Sequence, residues 1–195
     1  MLHTPPMLQT APSVGPYTWD DFVALEEDDL RELIDGELLE VEVPTRIHEF
    51  IVMMLGHFLN AWAIPREAGF VLASGYKIKI TERRGVMPDV QFFRRGFTSA
   101  EPTEQGLVSG HPDLSIEIVS PSSGKYDRVI KLGYYASIGL PEYWIVDPAA
   151  RTLERLVLDG ERFRIDDALS GDDVFRPASF PELEIALAKL WTIPE

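Results

Sequence analysis

From Ile47 the apolar residues Phe50, Ile51, Met54, Leu55, Phe58, Leu59 and Trp62 recur at three- and four-residue steps, which predicts an amphipathic helix ending before Pro65. Upstream, Thr18 is placed to cap a short helix that starts at Trp19-Asp20-Asp21-Phe22, carries acids in its first turn and ends near Leu25. Residues 30–43 divide at Asp35-Gly36, a dipeptide suited to the positive φ angles of a tight hairpin, into two short strands closed by Pro44. Beyond the long helix, residues 70–80 read as extended, with Ile78 and Ile80 alternating against Lys77 and Lys79. An Arg83-Arg84-Gly85 turn then leads into a partner strand over 86–93. Residues 96–112 are rich in Gly, Pro, Ser and Thr and predict a loop of the length that is often functional. Leu114 to Val119 predicts a third strand, and the turn at 120–124 feeds a helix from about Lys125 to Ile138, ended by Gly139. The continuous apolar run Tyr143-Trp144-Ile145-Val146 predicts a strand buried on both faces, and 152–158 with 161–165 an antiparallel pair turned at Asp159-Gly160.

This order predicts a mixed α/β sheet with the two longer helices packed against it and an antiparallel C-terminal extension. No repeat or second domain is visible: residues 1–16, rich in proline, read as a flexible tail and 17–195 as one domain. With 45% hydrophobic and 26% charged residues the chain is not of a disordered class. The absence of cysteine excludes disulfides, thiolate zinc sites and a cysteine nucleophile, and fits a reducing compartment. No apolar run approaches the roughly 20 residues of a spanning helix. The tail has neither the basic nor the apolar region of a signal peptide, so the expected location is cytoplasmic, with no membrane partner. The net charge of −14 opposes indiscriminate binding to a polyanion. The charge is uneven, however: residues 20–49 hold twelve acids and two bases, and 66–95 hold seven bases and three acids. A local basic surface is therefore open to the chain. Arg83, Arg84, Arg94 and Arg95 are either phosphate contacts or ordinary exposed arginines at strand ends.

The sharpest chemical signal is charge within apolar strands. In Leu114-Ser115-Ile116-Glu117-Ile118-Val119, period-two alternation puts Leu114, Ile116 and Ile118 on one face and Ser115, Glu117 and Val119 on the other. Asp89 is similarly set, after Pro88 and before Val90, Phe92 and Phe93. Each carboxylate is either a cap for nearby backbone or one arm of a cation site, since an isolated buried charge costs several kcal/mol. Mg²⁺ sites commonly use one or two carboxylates and keep several waters. Other chemistries fit worse. Gly75, Gly85 and Gly124 form no phosphate-cradling loop, Ser120 lacks a Gly-x-Ser-x-Gly elbow, and four histidines without paired spacing disfavour a zinc hydrolase.

Several segments together resemble a known family: Met87-Pro88-Asp89; Ile116-Glu117-Ile118-Val119-Ser120-Pro121-Ser122; Lys131 with Tyr134-Tyr135-Ala136 and Gly139; and Pro141 to Pro148. The likeness reaches upstream to Arg31-Glu32-Leu33-Ile34-Asp35-Gly36-Glu37 and His48, and so spans about residues 17–160. The pattern is similar to that of the large, mostly bacterial family of putative restriction endonucleases with a PD-(D/E)XK core. The resemblance implies a nuclease-type α/β fold in which Asp89 and Glu117 hold Mg²⁺ or Mn²⁺, with metal-assisted phosphodiester hydrolysis, most readily of DNA, as the reaction. One element departs from the superfamily pattern. A lysine belongs two residues after the glutamate, and Val119 stands there. Lys131, which matches the family's lysine on the following helix, is the first substitute and Lys125 the second. Lys131 is otherwise a solvated lysine paired with Asp127 or Tyr135, and its loss is expected to slow cleavage with little effect on folding. His48 is a helix-start residue or a support for the metal ligands. Glu32, Glu37 and Glu40 flank the hairpin as surface acids, with Glu32 the candidate for entry into the site. The site is expected at a sheet edge. The alternative reading, favoured by the acidity and the displaced lysine, is a catalytically silent nuclease fold used to bind nucleic acid or protein. A homodimer would suit cutting of both strands.

Overall fold

Thr18 forms a reciprocal capping box with Asp21: its hydroxyl accepts from the Asp21 N–H while its own N–H donates to the Asp21 carboxylate at 2.8 Å. It opens α1 (Trp19–Val23) in the computed structural model, which describes residues 15–26, 29–41, 43–73, 75–96, 101–120, 124 and 126–194. Most of the expected N-terminal tail lies outside the described residues, as does Lys125. The first hairpin is as expected, β1 (Arg31–Ile34) and β2 (Glu37–Glu40), with Asp35 at φ 50° and Gly36 at φ 79°. Helix α2 (Arg46–Ala63) follows, its start capped by the Thr45 hydroxyl, which accepts from the His48 N–H.

The expected second hairpin forms but breaks in its middle. Its two arms are each divided, into β3 (Gly69–Ala73) and β4 (Lys77–Thr81), then β5 (Arg84–Val86) and β6 (Val90–Arg94). The inner halves pair as β4 with β5, the outer halves as β3 with β6, and the two pairs join different sheets. Pro88 lies in the break at 87–89, where it has no N–H to give to a ladder. The expected loop over 96–112 is also corrected. It carries β7 (Glu101–Pro102) and β8 (Gly106–Ser109), and β8 runs parallel to β4. Strand β9 (Leu114–Ile118) precedes a helix whose first turn, Tyr126–Lys131, is π-helical, continuing as α3 (Leu132–Ser137). Then come β10 (Glu142–Asp147), the long hairpin β11 (Thr152–Asp159) and β12 (Arg162–Ser170), and the short pair β13 (Val174–Phe175) and β14 (Ile185–Ala186).

The fold is therefore mixed α/β, built on two six-stranded sheets rather than one: β2-β1-β5-β4-β8-β7 and β12-β11-β10-β9-β6-β3. In the second sheet β9 and β10 are parallel, and the crossover between them runs through α3. The alternation read in β9 holds. Leu114, Ile116 and Ile118 face a core with Ile51, Leu55 and Leu59 of α2, whereas Val119 joins Tyr135, Tyr143 and Ile145 on the opposite side. Trp144 is fully buried, as its strand predicts. The C-terminal segment closes the α2 side of the core with Phe175, Phe180, Ile185 and Trp191. There the Trp62 indole N–H donates to the Pro181 carbonyl at 2.7 Å.

Candidate active site

Asp89 lies where β6 begins, beside the end of β9. Its Oδ2 accepts the Ile118 N–H at 2.7 Å and stands 3.2 Å from Nε2 of His48, in the first turn of α2. The backbone-capping reading of Asp89 thus holds, and the same oxygen also meets His48. Among the described residues Oδ1 has no donor. Burial lowers the His48 pKa, but the hydrogen bond and charge of Asp89 outweigh it, so the imidazole is held above its ordinary value.

Glu117 points from β9 into the same cluster. Its Oε1 accepts from Nζ of Lys131 at 2.9 Å and from the Tyr135 hydroxyl at 2.6 Å, while Oε2 has no donor among the described residues. Lys131 is not solvated: it is 4% exposed, with Glu32 at 3.2 Å and Asp127 at 3.6 Å as further partners of its ammonium. Asp127, Lys131 and Tyr135 stand four residues apart on one helix face, which is why the sequence pairs them. The reading of Lys131 as solvated is corrected, and its burial argues against the expectation that its loss has little effect on folding. Of the three hairpin acids only Glu32 is buried, and Glu37 and Glu40 are exposed. Glu32 Oε1 accepts from the Met87 N–H at 2.7 Å and its Oε2 from the Tyr126 hydroxyl at 2.8 Å. It thereby ties β1 of one sheet to the break before Asp89.

Charge in this cluster is unbalanced. Burial lowers the Lys131 pKa, yet the carboxylates of Glu117, Glu32 and Asp127 more than offset that, so its ammonium persists well above the ordinary range. Burial pushes Glu117 in the other direction, toward the neutral acid. Lys131 opposes this shift, but the nearby charges of Asp89, Asp127 and Glu32 reinforce it. One lysine does not neutralise so many acids. Tyr126, whose hydroxyl burial and Glu32 hold protonated, went unnoticed in the sequence because nothing in a Ser/Gly-rich turn marks a buried tyrosine.

Asp89, Glu117, Lys131, His48 and Glu32 all line a single cavity of about 620 Å³. It opens at the carboxyl end of the parallel pair β9 and β10, where Pro148 and Ala149 border it. The sheet-edge expectation is corrected, because β9 and β6 are both interior strands. The four arginines considered for phosphate contact line no part of this cavity. Arg83 donates to the Gly15 and Tyr17 carbonyls, Arg84 to Asp35, Arg94 to the Ser179 carbonyl and Arg95 to Glu67.

The family model of Uma2, described as putative restriction endonucleases, matches residues 19–188, further toward the C-terminus than the motifs alone reach. The crystal structure of a protein from Anabaena variabilis, described as a putative nuclease, is similar over 90% of this chain and 98% of its own. The TM-score is 0.73 and the sequences are 20% identical, a likeness that carries the fold alone. No curated protein matches the chain. Among the described residues no helix is long and apolar enough to cross a membrane. On the family match over most of its length, with the nuclease-type fold beneath it, this chain belongs to the putative restriction endonuclease family.

Proposed function

We propose that the chain is a divalent-cation-dependent endonuclease that hydrolyses phosphodiester bonds in DNA. The observation that carries this reading is that Asp89 and Glu117 reach one cavity beside a buried ammonium, each with one oxygen that has no donor among the described residues. The fit to a hard cation is chemical. The donors are oxygens, and the acids outnumber the one lysine. Mg²⁺ and Mn²⁺ are commonly held by one or two carboxylates with water completing the shell. Bound there, such a cation would supply Lewis-acid stabilisation of the phosphate and acidification of water.

The chain's own residues divide the remaining work. His48 and the Ile118 N–H engage Oδ2 of Asp89, which leaves Oδ1 for a ligand. Tyr135 and Lys131 fix Glu117 through Oε1 in the same way. Lys131, in place of the amine absent at Val119, adds a fixed positive charge where phosphate charge would build up. Glu32 and Asp127 keep that ammonium in position.

The test is incubation of purified protein with single-stranded DNA, plasmid and linear duplex DNA in Mg²⁺, Mn²⁺ or a chelator, beside Asp89→Ala. Cleavage that needs the cation and is lost in the variant supports the reading, and no cleavage of any DNA under these conditions removes it. A second reading, a silent nuclease fold that only binds, is favoured by the charge of −14 and by arginines bonded within the protein. It would appear as DNA retention without cleavage.

A further inference from the structure

We infer that the strand entering this site is unpaired: the cavity is built to take a single-stranded DNA segment, with base and sugar against an apolar wall, in preference to an intact duplex. The choice of ligand rests on the nuclease reading, and strand preference is measured separately from cleavage. Leu30, Val41, Val43, Pro44 and Ile47, from the segments that flank the first hairpin and from the start of α2, line the same cavity as these polar groups. Val43 is 76% exposed, an apolar side chain presented to solvent at the rim. A cavity of about 620 Å³ lies in the range that holds small organic ligands and accommodates a nucleotide unit rather than a double helix.

The charge of the lining points the same way. Among the described residues Lys131 is the one lysine or arginine bordering the cavity, and its ammonium already faces three carboxylates. Asp29 and Glu49 add further acid to the lining. Duplex DNA carries one negative charge per about 1.7 Å of axis, and its binders draw affinity from neutralising many phosphates. Among the described residues the lining offers almost none of that. It offers apolar surface, which a duplex cannot use because its base faces are stacked inside, whereas an unpaired strand exposes them. Contact with aliphatic side chains is tolerant of sequence, so the selectivity is for strand state rather than for a recognition sequence.

The experiment measures binding of the full chain, in Ca²⁺, to a fluorescent single-stranded DNA, its duplex, and the same duplex with a central unpaired stretch. The single strand and the interrupted duplex should bind at least about 10-fold more tightly than the full duplex. The salt dependence should be shallow, with a logarithmic slope of about −0.7 to −1.4, as for one or two phosphates. Val43→Asp, at an exposed position, should weaken single-strand binding about 10-fold without lowering the Tm. Duplex binding as tight as single-strand binding, a slope reporting many phosphates, an unaffected Val43→Asp or no binding of any DNA each overturns the inference. Single-strand preference without cleavage of any substrate would instead sink the nuclease reading and leave this one standing.

Discussion

Replacing Lys131 by methionine keeps most of the side-chain volume and removes the one ammonium that faces Glu117 at 2.9 Å, Glu32 at 3.2 Å and Asp127 at 3.6 Å. All of these groups are buried. Breaking a buried ion pair by removing one partner costs about 3–5 kcal/mol, because the remaining charge is left uncompensated. For a chain of this size each kcal/mol moves the Tm by about 2–4 °C, so a loss of roughly 6–20 °C is expected at pH 7.5. The variant should still fold, since domains commonly have about 5–15 kcal/mol in hand. The sign of the pH dependence follows from the acids left behind. Glu117 is already held above its ordinary pKa, and without Lys131 the native state binds more protons than the unfolded state, so stability rises as pH falls. Thermal unfolding followed by circular dichroism at pH 7.5 and 5.5 therefore should show a smaller deficit at the lower pH. Glu117→Gln removes an acid from an over-acidic cluster and should leave the Tm without cation within about 2 °C of wild type or above it. A Lys131→Met deficit under about 2 °C at pH 7.5, or one that grows on acidification, would refute the charge accounting.

At Gly85 an added Cβ would lie 2.7 Å from the Phe22 ring and 3.1 Å from the Trp19 ring, so Gly85→Ala should cost about 1–3 kcal/mol of stability in urea titrations. Glu142 is buried and accepts from Arg155 Nε at 2.8 Å and from the Trp144 indole at 2.6 Å. Arg155→Leu should cost about 3–5 kcal/mol, and adding Glu142→Gln should recover part of it in a double-mutant cycle. The Arg31 hydrogen bond lowers the pKa of Asp29 to about 2. The stability this pair adds should be complete above the ordinary aspartate pKa of about 3.9 and lost as pH falls through about 2, and Asp29→Asn should remove that part of the acid-unfolding curve.

Long, strongly periodic segments were legible in the sequence: α2 from its three- and four-residue steps, β9 from its alternation, β10 from its unbroken apolar run. Glu117 stood out because it interrupts an apolar strand and Asp89 because it stands just before one, and the cavity brings both together. The break in the second hairpin was not legible, because both arms keep strand-like residues across it and only Pro88 hints that the ladder stops. Strand β8 was hidden in a turn-rich region where Leu107 and Val108 are its only large apolar residues. The π-helical turn depends on a shift in hydrogen-bond spacing that composition does not encode. Glu32 resembled its neighbours Glu37 and Glu40, and its burial arises from long-range contacts with Met87 and Tyr126.

The central claim is that Asp89 and Glu117 together hold a divalent cation, and calorimetric titration of Mn²⁺ into the wild-type chain, Asp89→Asn and Glu117→Gln tests it most directly. One site in the wild type, weakened at least about 10-fold by either substitution, is the predicted result. Equal Mn²⁺ affinity in all three proteins would contradict it.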